Sequence, residues 1–244
     1  MHRSASRLTR ILACAAVPVM LVVAGCSSDS DGKKESGADK PAAASSQDSA
    51  DDAPKPQNIE PAKFAKLPDA CDAITAKTIE TLVPETKTKN GTAGKTSDTT
   101  TRGSCSWNGL EDKGVKGSQY RWLDVSFLRY ESESSLGVSG QKRAEDNYAK
   151  EVAKARAAQG AKNLRTSPAA GVGEDAKAIG YELKKTDEDF TYATIVTRTD
   201  NVVITLTYNG TGYAGAKPPA ASDLMKGAIT AAKEAVASVT AANK

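Results

Sequence analysis

Apolar and polar residues alternate along several stretches in the second half of the chain. Between Tyr120 and Tyr130, the residues Leu123, Val125 and Phe127 occupy every second position, which predicts a strand with one buried face. The same alternation recurs in three later segments that are separated by polar turns, and it predicts a meander of three strands. These segments carry Ile179, Tyr181 and Leu183, then Phe190 to Thr197, then Val202, Ile204, Leu206 and Tyr208.

Other stretches repeat their apolar residues with the period of a helix. A short helix is predicted after Thr75, whose side chain can cap its first turn, and Pro84 ends it. An amphipathic helix is predicted for residues 141–159, and a last helix is predicted to begin at the cap Ser222. Helices that accompany hairpin-connected strands favour an α+β fold, in which helices pack on a mainly antiparallel sheet.

The N-terminal segment has an uninterrupted apolar run instead of a period. Arginines precede this run, Ile11 to Val23, and the stretch from Leu21 to Cys26 resembles the lipobox of bacterial lipoproteins. The run is shorter than the ~20 residues that a transmembrane helix needs. We therefore predict a lipoprotein signal peptide over residues 1–25 and lipidation, with palmitate among the acyl chains, at Cys26. This lipid would anchor the protein on the outer face of the cell membrane.

The rest of the chain divides by composition. Residues 26–62 are small, polar or charged, with Ile59 as the exception, and such a segment cannot bury enough apolar surface to fold. We predict a lipidated N-terminus followed by a disordered tether in this range. Residues 63–244 carry the periodic patterns, and their number suffices for a single globular domain.

Charge and histidine content narrow the candidate functions. The chain has 33 basic and 30 acidic residues, but three arginines belong to the predicted signal peptide. The mature chain would therefore be neutral, which gives no support to nucleic acid binding. The only histidine is His2, so the mature chain would lack the commonest general base and metal ligand. We expect no enzyme activity, no cofactor and no metal.

The four cysteines can each be assigned a role. Cys14 lies in the predicted signal peptide, and Cys26 is the predicted lipid site. Cys71 and Cys105 remain, in a chain that would face an oxidising exterior, where thiols pair. Two cysteines without histidine make a poor zinc site. The sequence therefore predicts a disulfide between Cys71 and Cys105.

The candidate catalytic motifs lack the surrounding elements that their chemistry requires. The stretch Gly210 to Gly215 matches G-x-G-x-x-G, but no second strand with an acidic residue follows, so we interpret it as a flexible loop. Acidic residues such as Glu131 and Glu133 lie at turns, where solvated surface is the usual role. Four aromatic residues in one sheet region could line a pocket for a sugar or an apolar ligand, although aromatic residues on strands are more often core. They are Trp107, Tyr120, Trp122 and Tyr130.

Several short motifs together resemble a known family. They are Cys71 to Thr75 with Ile79 and Leu82, then Cys105 to Trp107, then Gly171 to Ala176. In this order they resemble the actinobacterial surface lipoproteins of the domain of unknown function 3558 family. The resemblance implies an exported, disulfide-bearing domain similar to PsbP-like sandwiches, and it implies no known activity.

Two hypotheses for function follow. The first is an extracytoplasmic binding module that captures a small ligand or another envelope protein, favoured because the mature chain has no credible nucleophile and base. The second is an envelope enzyme of unrecognised type, which would need convergent polar residues in a cleft. A deep pocket near Trp122 would favour a small ligand, and a flat apolar patch would favour a protein partner.

Overall fold

A computed structural model of the protein describes residues 58–244. The predicted signal peptide, the predicted lipid site Cys26 and the predicted tether up to residue 57 lie outside the described residues. In the described range, no helix combines the length and the apolar character that crossing a membrane requires. The predicted boundary between tether and domain near residue 63 stays a prediction.

Within the described residues, seven antiparallel strands form one sheet: β1 Thr92–Ala93, β2 Arg102–Asp112, β3 Ser118–Arg129, β4 Lys162–Pro168, β5 Asp175–Lys185, β6 Glu188–Thr199 and β7 Val202–Tyr213. Their order across the sheet is β1-β2-β3-β7-β6-β5-β4. The strands β5, β6 and β7 are the meander that the alternation predicts. The strand β3 pairs with β7 along its whole length, from Ser118 opposite Tyr213 to Arg129 opposite Val202.

In the part of the chain that the structure describes, three α-helices accompany the sheet: α1 Ala76–Leu82, α2 Gly140–Arg156 and α3 Ala221–Ala242. Thr75 caps α1 as predicted, since its side chain accepts a hydrogen bond from the Thr78 N–H at 3.3 Å. Ser139 caps α2 in the same way, at 3.1 Å from the Lys142 nitrogen. The predicted α+β class, with helices on a mainly antiparallel sheet, is confirmed.

The helices cover the two faces of the sheet unequally. Successive side chains of a strand point to opposite faces, so Leu123 and Val125 of β3 join Leu206 of β7 on the face that α1 and α3 cover. That side holds the main core, in which Leu224 and other residues of α3 are buried. On the opposite face, α2 packs on the sheet, and its Ala144 forms a smaller cluster with Ile179, Val196 and Val203 of the strands.

Two asparagines attach the N-terminal segment to the core. The fully buried Asn201 accepts a hydrogen bond from the Phe64 N–H and donates to the carbonyls of Phe64 and Tyr130, each at 2.9 Å. Asn243, just past the end of α3, accepts from the N–H groups of Ala65 and Lys66 at 2.9 and 3.0 Å. These bonds satisfy backbone groups of a segment that has no strand partner.

The predicted disulfide between Cys71 and Cys105 is present, with the Cα atoms 5.1 Å apart. This bond joins the segment before α1 to β2, next to the buried Trp107. Gly91 passes over both groups with φ of +73°, and a Cβ there would collide with the Cys105 sulfur and the Trp107 indole. Glycine is therefore required at this close approach, both for its backbone angle and for its small size.

Several details differ from the sequence-based expectations. The strand β4 was not expected, because all of its residues are exposed and it shows no apolar alternation. Ser222 does not cap α3, since the helix begins at Ala221 after Ala220, without a side-chain cap. The motif from Gly210 to Gly215 is not all loop, because β7 continues to Tyr213. A Cβ at Gly212 would collide with the backbone of Ala216, so packing explains this glycine.

Candidate ligand pocket

The face of the sheet that carries α2 remains open beyond that helix. There β3, β6 and β7 together form a concave surface with a cavity of about 540 Å³. We call it the aromatic pocket, and its lining residues are Tyr120, Trp122, Asp124, Lys185, Phe190, Tyr192, Thr207, Asn209 and Tyr213. A cavity of a few hundred Å³ is in the range of small-molecule sites.

Strand register brings these side chains together. Trp122 of β3 lies opposite Asn209 of β7, which in turn lies opposite Tyr192 of β6. One step along the strands, Asp124 lies opposite Thr207. Because residues that are directly opposite share a face, these side chains form two adjacent rows on the open side of the sheet.

Aromatic rings form a continuous series across the pocket. The ring centroid of Tyr120 lies 6.5 Å from that of Tyr213 and 6.2 Å from that of Phe190, both edge to face. Phe190 lies 6.4 Å from Tyr192, which stacks on Tyr181 at 4.8 Å. These spacings are those of favourable aromatic pairs. The rings of Tyr120 and Tyr213 are partly exposed, so apolar ring surface faces the cavity.

Asp124 is the carboxylate of this pocket. One of its oxygens accepts a hydrogen bond from the Trp122 indole N–H at 3.2 Å. Burial raises the pKa of Asp124 to about 6, and the bond from Trp122 opposes this shift only in part. No ion pair joins Asp124 to a lysine or arginine of residues 58–244. The carboxylate is therefore desolvated without a cation to compensate it.

The polar rim of the pocket includes one cation. The Lys185 ammonium lies 5.2 Å from the centroid of the Tyr192 ring, which is a cation–π contact. The side chains of Thr207 and Asn209 add a hydroxyl and an amide to the lining. The pocket thus combines aromatic surface, one carboxylate and neutral hydrogen-bonding groups.

The structure separates the four aromatic residues that the sequence singles out. Tyr120 and Trp122 line the pocket. Trp107 is 1% exposed on the opposite face of the sheet, where the indole N–H has no acceptor among the described residues. Tyr130 follows the far end of β3 and packs under α2, with the Arg143 guanidinium 5.9 Å from its ring. A binding role for Tyr120 and Trp122 stays a prediction.

Sequence reasoning did not select Asp124, Phe190, Tyr192 and Tyr213. One usable signal was present: Tyr120, Trp122 and Asp124 alternate with the buried Leu123 and Val125, so they share the other face of β3. The contribution of β6 and β7 depends on strand order, which the sequence does not reveal. Within residues 58–244, no group of three or more His, Cys, Asp or Glu side chains could hold a metal ion.

The acidic residues of the Gly171–Ala176 motif hold a buried arginine. Arg198 of β6 forms ion pairs with Glu174 at 2.9 Å and with Asp175 at 2.6 Å, and its side chain is 6% exposed. A buried guanidinium needs such partners. These carboxylates therefore have a structural role, away from the aromatic pocket.

The fold and the pocket define a class of protein: a small α+β domain in which one sheet face carries an open aromatic cavity. The sequence matches the profile of the family described as "Protein of unknown function (DUF3558)" over residues 21–172. The chain belongs to this family, and the resemblance inferred from the short motifs is confirmed. The matched range ends inside the last of those motifs, at Val172.

Among solved structures, the chain is similar to LpqN, described as involved in cell envelope biogenesis of Mycobacterium tuberculosis. The two share 16% sequence identity, and the match has a TM-score of 0.29 and covers 50% of this chain. It spans 65% of the length of LpqN. This likeness is too slight to bear on function. No curated protein matches the sequence.

Proposed function

We propose that the protein is a lipoprotein of the cell envelope whose domain binds a small ligand in the aromatic pocket. The observation that carries this proposal is the concave, ring-lined cavity beside Trp122. A cavity of about 540 Å³ suits a small molecule better than the flat apolar patch of a protein partner. In this proposal the protein is not an enzyme, and it uses no cofactor.

The proposed location follows from the N-terminal sequence. Lipid on Cys26 would hold the chain at the membrane, outside the cytoplasm. The disulfide between Cys71 and Cys105 supports this location, because paired thiols persist in oxidising compartments. The segment between Cys26 and the domain would act as a tether that lets the pocket sample the space above the membrane.

Asp124 is the observation that favours the second candidate, an envelope enzyme, because a carboxyl with a raised pKa in a cleft is typical of an acid or base catalyst. Catalysis would need a nucleophile or a second proton-transfer group within hydrogen-bond reach. Among the described residues, the side-chain partner of the Asp124 carboxylate is the Trp122 indole. This environment suits binding better than proton transfer.

Purification of the full chain from envelopes in a nonionic detergent tests the binding function. Mass spectrometry of the extract should find a small molecule enriched with the wild type, and Trp122→Ala and Tyr192→Ala should lose it. Leu136→Ala is the matched control, since Leu136 is 68% exposed and does not line the pocket. If folded Trp122→Ala retains the same molecule in the same amount, the pocket is not the binding site.

A further inference from the structure

The charge of the aromatic pocket indicates which ligands suit it. Asp124 lies in the middle of β3, flanked by Ser106 on β2 and Thr207 on β7. Neither neighbour is a cation, and the Trp122 indole donates to one carboxylate oxygen only. The other oxygen accepts no side-chain hydrogen bond within the described residues, and it is not fully buried. It is therefore open to a donor that enters the pocket.

The ring surface around this carboxylate has the matching chemistry. Aromatic faces carry negative electrostatic potential and attract ammonium groups, more strongly where water is excluded. Tyr120, Trp122, Phe190 and Tyr192 provide such surface beside Asp124. The contact of Lys185 with Tyr192 shows an ammonium already held against one of these rings at the rim.

A neutral polar ligand would leave the carboxylate uncompensated, and an anionic ligand would be repelled. An ammonium would donate to the free oxygen and neutralise the charge that burial disfavours. An alkyl chain on that ammonium would cover the rings. These requirements select one ligand class.

We infer that the aromatic pocket binds a small alkylammonium compound, with the ammonium on Asp124 and the hydrocarbon part against Tyr120, Trp122 and Tyr192. This inference rests on the proposed ligand-binding function and adds the charge of the ligand to it. In this arrangement Asp124 determines specificity and the rings supply most of the contact area.

Three probes of equal chain length separate charge from apolar contact: pentylamine, pentan-1-ol and pentanoate. The chain has two tryptophans, and Trp107 is 1% exposed, so ligand-dependent changes in fluorescence report on Trp122. The full chain in nonionic detergent at pH 7.5 should bind pentylamine saturably. Pentan-1-ol should bind at least about tenfold more weakly, since its hydroxyl can donate to the carboxylate but brings no positive charge to neutralise it. Pentanoate should not bind.

Two variants with the same loss of charge complete the test. Asp124→Asn should weaken pentylamine binding by about tenfold or more. Asp72→Asn removes an exposed carboxylate before α1 and should leave binding unchanged. A thermal melt of each variant separates loss of binding from loss of fold. Affinity for pentylamine should also fall below pH 6 as Asp124 takes up a proton. The other titratable groups that line the pocket are three phenols and one amine, those of Tyr120, Tyr192, Tyr213 and Lys185. The Tyr181 phenol lies close enough to Asp124 to interact with it.

The inference is overturned if pentan-1-ol binds as tightly as pentylamine, if Asp124→Asn binds pentylamine like the wild type, or if pentylamine does not bind. The proposed binding function is judged separately, by the molecule that copurifies with the wild type and is lost from Trp122→Ala. A neutral copurifying ligand would therefore refute the ammonium specificity and leave the binding function in place.

Discussion

At the scale of single residues, Asp124 links stability to pH. Burial raises the pKa of Asp124 from 3.8 to about 6, so the folded state holds a proton that the unfolded chain releases earlier as pH rises. The resulting loss of folding stability is small below about pH 4, grows as pH rises toward 6, and is complete above about pH 6. Stability should therefore decrease over this interval because of this carboxyl.

Replacing Asp124 with Asn should remove that cost. We expect Asp124→Asn to raise the free energy of unfolding by about 3 kcal/mol at pH 8 and by much less at pH 4, because a pKa raised by one unit corresponds to about 1.4 kcal/mol. Urea unfolding at both pH values measures the difference. Asp72→Asn, which removes an exposed carboxylate, is the control. Equal effects of Asp124→Asn at pH 4 and pH 8 would contradict the assigned burial of the charge.

Asn201 is fully buried and bonds to backbone groups of two segments that are distant in sequence. Asn201→Ala would leave the Phe64 N–H and the Tyr130 carbonyl without their side-chain partner, while the Phe64 carbonyl would keep only the Arg129 guanidinium at 3.4 Å. We expect a loss of about 2–4 kcal/mol, since each buried unpaired group costs about 1–3 kcal/mol. Chemical denaturation measures it.

Asn243→Ala is the matched comparison for Asn201. This substitution removes the hydrogen bonds from the N–H groups of Ala65 and Lys66, the two residues after Phe64. Both residues are exposed, so their N–H groups can donate to water instead. We expect less than half the loss seen for Asn201→Ala. Equal losses would mean that burial of the amide does not determine the effect.

At the scale of elements, the Cys71–Cys105 disulfide holds the segment before α1 against β2. The bond spans a sequence separation of 34 residues. Cross-linking restricts the unfolded chain, so Cys71→Ala with Cys105→Ala should lower stability by about 3–4 kcal/mol and keep the fold. Thermal unfolding and circular dichroism measure both.

A reductant provides the control for this prediction. Reduction should bring the wild type down to the stability of the double variant and leave the double variant unaffected. If the two proteins unfold alike without reductant, the disulfide does not contribute to stability.

At the scale of the whole molecule, the proposed position of the protein in the cell rests on lipidation of Cys26, which lies outside the described residues. Cys26→Ser should abolish labelling by a palmitate analogue, because the hydroxyl cannot replace the thiol as the acceptor. Cys14→Ala should keep the label, since Cys14 lies in the predicted signal peptide. Membrane fractions of cells that carry Cys26→Ser should then contain no mature lipoprotein. Label that persists on Cys26→Ser would refute the lipobox.

Local sequence patterns determined much of the fold. The alternation around Leu123 and Val125 predicted β3, and similar alternation predicted β5 to β7, because a strand with one buried face must repeat every two residues. Thr75 predicted the start of α1 because a capping side chain acts on the next few residues. The two remaining cysteines left one pairing. Each of these features depends on residues close in sequence or on elimination.

The tertiary structure alone decided the pocket. The aromatic residues that the sequence singles out lie on different faces of the sheet. Trp107 lies opposite Leu123, on the core face, while Tyr120 and Trp122 point to the other side. The strand order places β7 between β3 and β6, which brings Tyr192 to Trp122 across Asn209. The position of α2 leaves that part of the face open. Contacts between residues far apart in sequence depend on strand order and helix packing, and no local period encodes these.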